Sequence, residues 1–190
     1  MSYKIRALSG AVDFETLPVA KIIHYPLEPR DYKPFAQACM GIVGDELALR
    51  LWAFELHALP QSELRACLCL PDKGGVLHVS VCPPPPQDTN ARNRVQVWVQ
   101  TAAGRETVAP LRTRAHNGED LQGVYWGEEI FLSRKGLGLQ KAAPGDTLRG
   151  NFYKLATAPA RPHCGAYFPA NDMTQPFLPT NMGEMEIVAY

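Results

Sequence analysis

Two rows of polar and aromatic side chains contain the residue types that recognise a polyhydroxylated ligand. Each row is predicted to lie on one face of a β-strand, because side chains alternate between the two faces of a strand. The rows are Gln96, Trp98 and Gln100, between inward-facing Val95, Val97 and Val99, and Arg149, Asn151 and Tyr153, between Leu148, Gly150 and Phe152. Amide, guanidinium and phenol groups hydrogen-bond hydroxyls, and an indole offers a flat apolar surface to the C–H face of a pyranose. The sequence therefore predicts a site for a small saccharide or polyol.

The titratable residues do not form a catalytic pattern. Glu128 and Glu129 are adjacent, so they fall on opposite faces of a strand and cannot act as a facing carboxylate pair. No nucleophile elbow, phosphate-binding loop, zinc-protease motif or dinucleotide fingerprint is present in the sequence. We therefore expect no catalytic residues and no cofactor, with a structural calcium ion as the one open alternative.

The elements that must position the two rows are short strands joined by hairpins. A turn at Pro144-Gly145-Asp146 separates an apolar strand, Val124 to Leu132, from a strand that starts near Thr147. Further strands are predicted at Tyr3–Leu8, Val19–Tyr25, Ala36–Val43, Glu46–Glu55, Leu64–Leu70, Val76–Val81, Arg94–Thr101, Glu106–Leu111, His163–Phe168 and Gly183–Ala189. A helix over Asp45–Ala58 is an open alternative, and Arg112–Gln122 is predicted to be a surface loop. Trp126 is expected in the core.

Size and charge restrict the function classes. The chain has 190 residues with 19 basic and 19 acidic side chains, so no net charge attracts nucleic acid or an anionic membrane. The N-terminus lacks the apolar core of a signal peptide, which predicts a cytoplasmic protein with no membrane partner. Five cysteines without a CxxC pair are expected to be reduced thiols. The sequence predicts one domain, residues 1–190.

The C-terminal part of the chain, residues 120–190, resembles the carbohydrate-binding family 9-like domains. The matching features are Trp126, the Pro144-Gly145-Asp146 turn, Asn151-Phe152-Tyr153, Pro162-His163-Cys164-Gly165 and Met182-Gly183-Glu184. The resemblance implies an all-β fold: an antiparallel β-sandwich of jelly-roll or immunoglobulin-like type, with hairpin connections and few or no helices. It also implies that Gln96, Trp98, Gln100, Arg149, Asn151 and Tyr167 face the sugar pocket, which in this family lies between two aromatic side chains.

Two departures from the family pattern leave a second hypothesis open. Ser62 to Leu68 replaces a strand that is usually acidic in the family, so the expected carboxylate is missing, and Tyr167 replaces a larger tryptophan. The alternative is therefore an interaction or scaffolding sandwich that has lost its sugar site. In that case Trp98 would be covered by a loop or by a second copy in a homodimer.

Overall fold

The computed structural model describes residues 2–28, 34–55, 61–84, 92–121, 123–157, 162–170 and 174–189, and β-strands dominate these ranges. The strands are β1 (Tyr3–Leu8), β2 (Ala20–Ile22), β3 (Phe35–Val43), β4 (Glu46–Phe54), β5 (Ser62–Leu70), β6 (Gly75–Cys82), β7 (Arg94–Thr101), β8 (Gly104–Thr107), β9 (Arg112–Ala115), β10 (Gly118–Asp120), β11 (Gly123–Ser133), β12 (Thr147–Ala156), β13 (His163–Ala166) and β14 (Gly183–Ala189). One short α-helix, α1 (Arg134–Leu137), and 3-10 turns at Phe14–Thr16, Pro71–Lys73 and Pro179–Asn181 complete the described elements.

The strands form one curled sheet of 14 strands in the order β10-β11-β4-β3-β1-β14-β12-β5-β6-β7-β8, with β2 paired to β3, β9 to β11 and β13 to β12. Apolar side chains from both halves of this order pack in one core, among them Leu49, Ile130, Leu68, Val79 and Phe152. The two halves therefore face each other across the core, as the layers of a sandwich do. The prediction of an all-β sandwich is confirmed.

Strand β1 is paired in parallel, which a hairpin connection cannot produce. It runs parallel to both of its neighbours, with Ile5 opposite Ile187 in β14 and Ala7 opposite Ile42 in β3. Parallel neighbours need a long connection, and here each partner strand is distant from β1 along the chain. The sheet is therefore mixed, whereas the sequence had indicated antiparallel pairing throughout.

Strand β4 is central, as its two apolar faces suggested. It lies between β3 and β11, and Gly44, with a φ of 52°, forms the tight turn of the β3–β4 hairpin. Leu49 and Leu51 enter the core, whereas Arg50 and Trp52 face outward. The helical alternative over Asp45–Ala58 is wrong where the structure describes it, because cross-strand burial outweighs the helix propensity of leucine and alanine. Residues 56–60 lie outside the described ranges.

Residues 112–122 differ from the predicted surface loop. Strands β9 and β10 form there and pair with β11, placing Arg112 opposite Phe131 and Arg114 opposite Glu129. All four β9 residues are exposed, so the segment has no hydrophobic alternation that could reveal an edge strand. Gln122 and parts of the proline-rich stretches 26–34 and 83–86 lie outside the described residues.

One ion pair is buried between the layers. Lys154 Nζ lies 3.0 Å from Glu55 Oε1, with the lysine side chain fully buried and the glutamate 10% exposed. Trp126, which is in the core as predicted, donates its Nε1–H to Glu55 Oε2 at 2.9 Å. Burial lowers the pKa of Lys154, and the Glu55 carboxylate opposes that shift. Removing either residue would therefore leave the charge of the other buried without a partner.

The described residues contain no disulfide, since all five cysteines have free thiols. Within the same ranges, no helix has the length and hydrophobicity needed to cross a bilayer.

Candidate functional site

The outward-facing row of β7 lies on the outer surface of the sheet half formed by β12, β5, β6, β7 and β8. Val97 and Val99 enter the core, whereas Gln96 and Gln100 are exposed on the opposite side, as the alternation predicted. Trp98 lies between the two glutamines and retains 8% exposure. The structure therefore brings Gln96, Trp98 and Gln100 together on one surface, hereafter the Trp98 face.

Neighbouring strands cover both sides of the Trp98 indole. On the β6 side, the His78 ring stacks parallel to it, with centroids 4.9 Å apart and an interplanar angle of 3°. On the β8 side, the Arg105 guanidinium carbon lies 4.0 Å from the ring centroid. Arg105 is exposed and belongs to an edge strand. The indole is thus a platform whose outer side is covered by a solvent-exposed arginine.

An ion pair on β5 borders the same surface. Arg65 donates from Nε to Glu63 Oε1 at 2.6 Å, and Ser80 Oγ donates to the same oxygen at 2.6 Å. The Arg65 guanidinium carbon lies 5.3 Å from the Trp98 ring centroid and 4.0 Å from that of Phe177. A guanidinium whose NH1 group has no partner among the described residues therefore lies between two aromatic side chains.

His78 is neutral at physiological pH. Burial is the main cause that lowers its pKa to about 4, and the nearby Arg65 and Arg105 cations add to the effect. Its Nδ1 lies 3.4 Å from Cys67 Sγ. Because burial raises the pKa of that thiol, Cys67 stays protonated and can donate its S–H to Nδ1. A neutral ring stacks on the indole without adding a third cation to the face.

The second predicted row lies on the same side of the sheet, but two of its members are buried. Arg149 is exposed and donates to the Met182 carbonyl at 2.9 Å. Asn151 is fully buried: Nδ2 donates to the Phe168 and Asn181 carbonyls at 3.0 and 2.8 Å, and Oδ1 accepts from the Phe152 and Phe168 N–H groups at 2.9 Å. All of its polar atoms therefore serve the fold.

Tyr153 has a similar structural role. Its side chain is fully buried, and its hydroxyl donates to the Pro176 carbonyl at 2.6 Å. Its ring contacts Phe177 edge-to-face at 5.2 Å. Asn151 and Tyr153 thus fasten the segment before β14 onto β12 and thereby position Phe177 beside Arg65.

Tyr167 does not share the Trp98 face. Its ring packs against Tyr3 and Phe152, with centroids 5.8 and 6.3 Å away, and Phe152 belongs to the core between the layers. Strand β13 ends at Ala166, and the Tyr167 N–H then donates to the Phe152 carbonyl. The expectation that Tyr167 and Trp98 line one pocket is therefore not met, because the two rings lie on opposite sides of the sheet.

Sequence reasoning missed four residues of this surface: Glu63, Arg65, His78 and Phe177. Arg65 and His78 could have been found from the hairpins, since register places Arg65 opposite Ser80, Ser80 opposite Gln96 and His78 opposite Trp98. Glu63 then follows from alternation, because it lies two residues before Arg65 on β5. Phe177 had no such signal, because its place depends on long-range bonds to β12. In the described ranges, no group of three or more His, Cys, Asp or Glu side chains could hold a metal ion.

The fold is similar to that of carbohydrate-binding modules of family 9. A presumed carbohydrate-binding protein from Bacteroides uniformis has a TM-score of 0.72 at 14% identity, with 98% of each chain covered. A family 9 module from Caldicellulosiruptor kristjanssonii in complex with cellotriose has a TM-score of 0.57 at 11% identity, covering 100% of this chain and 95% of that one. The glucose complex of a family 9 module from the same organism gives 0.57 at 14% identity, with 98% and 96% covered.

No protein-family model matches the sequence, and no curated protein matches it. At these identities the likeness to solved structures establishes the fold, and the function must be argued from the site.

Proposed function

We propose that this protein binds a small saccharide or polyol on the Trp98 face, without catalysis. The observation that carries the proposal is the indole of Trp98, which is flanked by two exposed amides and covered on its outer side by Arg105. The fold adds support, because two neighbours are family 9 modules in complex with cellotriose and glucose.

Binding requires that Arg105 leaves the indole. No ion pair of Arg105 with another described residue accompanies its contact with Trp98, so its displacement costs about one cation–π contact at an exposed site, about 0.5–1 kcal/mol. The released face can then stack on the apolar side of a pyranose. Around it lie Gln96, Gln100 and the NH1 group of Arg65, which can bond ring hydroxyls. Arg105 is therefore a displaceable cover.

The charged groups of the site favour binding over hydrolysis. Glu63 accepts hydrogen bonds from both Arg65 and Ser80. Both bonds hold the Glu63 carboxylate on Arg65 and Ser80, whereas glycoside hydrolysis requires two carboxyl groups that flank the scissile bond. Glu63 instead holds the Arg65 guanidinium in place beside the proposed ligand.

Isothermal titration calorimetry with glucose and cellotriose tests the proposal. Wild type should bind at least one of them. Trp98→Ala should weaken binding about 10-fold or more, because it removes the stacking surface. Arg105→Ala should strengthen binding about 2- to 5-fold, because the cover is gone.

Thr113→Ala, an exposed substitution on β9 of the other half of the sheet, is the control and should leave the affinity unchanged. An unchanged affinity in Trp98→Ala, or the absence of heat with every sugar, would refute the site.

One observation favours the second function, an interaction module. Trp98 is only 8% exposed, so a bound sugar must first uncover it. If no saccharide binds while Arg105→Ala creates self-association, the face is a protein contact. Sedimentation velocity distinguishes this outcome from a monomer with an open sugar site.

A further inference from the structure

The opposite outer surface of the sandwich, on β4 and β11, contains a groove far from Trp98. Two cavities of about 440 and 190 Å³ adjoin there, and both are lined by Glu15 and Arg50. The larger cavity extends over β9 towards Arg114 and Glu129, and the smaller one is bounded by the aromatic rings of Trp52 and Tyr125. The groove therefore has charged residues at one end and aromatic residues at the other.

Arg50 lies at the junction of the two cavities and is buried, with its side chain 5% exposed. Its guanidinium carbon is 4.3 Å from the Trp52 ring centroid and 5.1 Å from that of Phe14. NH1 donates to Glu15 Oε1 at 2.7 Å, whereas Nε has no hydrogen-bond partner among the described residues. A buried N–H donor is seldom left unpaired, so Arg50 can donate a further hydrogen bond to an anionic ligand.

Glu15 is a replaceable partner for Arg50. Its side chain is 78% exposed and extends from the three-residue turn Phe14–Thr16. The Arg50 hydrogen bond lowers the pKa of the Glu15 carboxyl, so Glu15 is ionised at neutral pH and occupies the place of an anion. Because the Glu15 side chain is mostly solvent-exposed, water can hydrate its carboxylate once it leaves, and a ligand carboxylate can take its place on Arg50.

We propose that this groove is a second binding site, which takes a small ring compound that bears a carboxylate. The carboxylate would replace that of Glu15 on Arg50, and the ring would enter the smaller cavity, against Trp52 and Tyr125. Bidentate pairing of a carboxylate with a guanidinium and stacking on an aromatic wall are mutually compatible there. Sugar acids and aromatic acids share this chemistry.

NMR of the ¹⁵N-labelled protein distinguishes the two surfaces, because each of the three tryptophans reports on a different region. Trp52 lies in the groove, Trp98 on the Trp98 face and Trp126 in the core. Glucuronate and benzoate are the probes, and glucose and benzamide are their uncharged counterparts. We expect a saturable shift of the Trp52 indole resonance with at least one acid and not with its uncharged counterpart.

Variants separate this site from the other one. Glu15→Ala should strengthen binding of the acid about 2- to 5-fold, because the competing carboxylate is removed. Glu184→Ala, an exposed glutamate on β14, is the matched control and should have no effect. Trp98→Ala should retain the shift of the Trp52 resonance with the acid. The acid site can therefore be tested even if the proposed saccharide site on the Trp98 face fails.

A site for a cyclic carboxylate is refuted if neither acid moves the Trp52 resonance at about 10 mM in wild type or in Glu15→Ala. It is also refuted if the uncharged counterparts bind equally well. A response to glucuronate alone identifies a sugar-acid site, and a response to benzoate alone identifies an aromatic-acid site.

Discussion

Replacing Asn151 with alanine tests whether this residue serves the fold or a ligand. The side chain is fully buried and makes four hydrogen bonds, two as donor and two as acceptor. At about 1 kcal/mol for each bond, the loss amounts to about 4 kcal/mol. For a chain of this length that corresponds to a fall in Tm of about 8–16 °C.

Thermal unfolding followed by circular dichroism measures the effect, and Gln96→Ala is the matched control. Gln96 is an exposed amide on the same side of the sheet, so its truncation should change Tm by no more than about 2 °C. The reasoning is refuted if Asn151→Ala unfolds like wild type while saccharide affinity collapses. That result would mean that the Asn151 amide contacts the ligand instead of the Phe168 and Asn181 carbonyls.

Two further predictions concern buried titratable groups. Lys154→Met should destabilise the protein by about 3–5 kcal/mol at neutral pH in urea denaturation, because the Glu55 charge is left buried without its partner. A deficit below about 1 kcal/mol would contradict this. His78 binds its proton more weakly in the folded protein, with its pKa lowered from 6.5 to about 4, so stability should fall as pH drops through that window. His78→Gln should remove this part of the pH dependence, and an unchanged profile would contradict the assignment.

Local alternation was sufficient to predict most of the sheet. Val95 to Gln100 alternate between apolar and polar residues, and the structure places them on two faces of β7. Turn chemistry located the β3–β4 and β5–β6 hairpins, where Gly44 and Gly74 adopt positive φ. These signals are short-range, so a single sequence contains them.

Features that depend on distant contacts could not be predicted in this way. The parallel pairing of β1 joins both ends of the described chain, with Tyr3 opposite Met185. Strand β9 is fully exposed and acquires its structure by pairing with β11. The alternation of β1 identifies it as a strand but not which strands it pairs with, and β9 has no apolar alternation.

The candidate site was predicted in part for the same reason. Strand periodicity placed Gln96 and Trp98 on one face, but it could not show that Asn151 and Tyr153 would be covered by the segment before β14. The covering bonds run from Tyr153 to Pro176 and from Asn151 to Asn181. Tyr167 was assigned by resemblance, and the turn after β13 places it, half-buried, against the core instead.

The central claim is that a saccharide stacks on Trp98, and the most direct test is a titration of the ¹⁵N-labelled protein with glucose and cellotriose. We expect a saturable shift of the Trp98 indole resonance with at least one of these sugars, while the resonances of Trp52 and Trp126 stay in place. An unmoved Trp98 resonance at concentrations that saturate a millimolar binder, or a shift confined to Trp52, would contradict it.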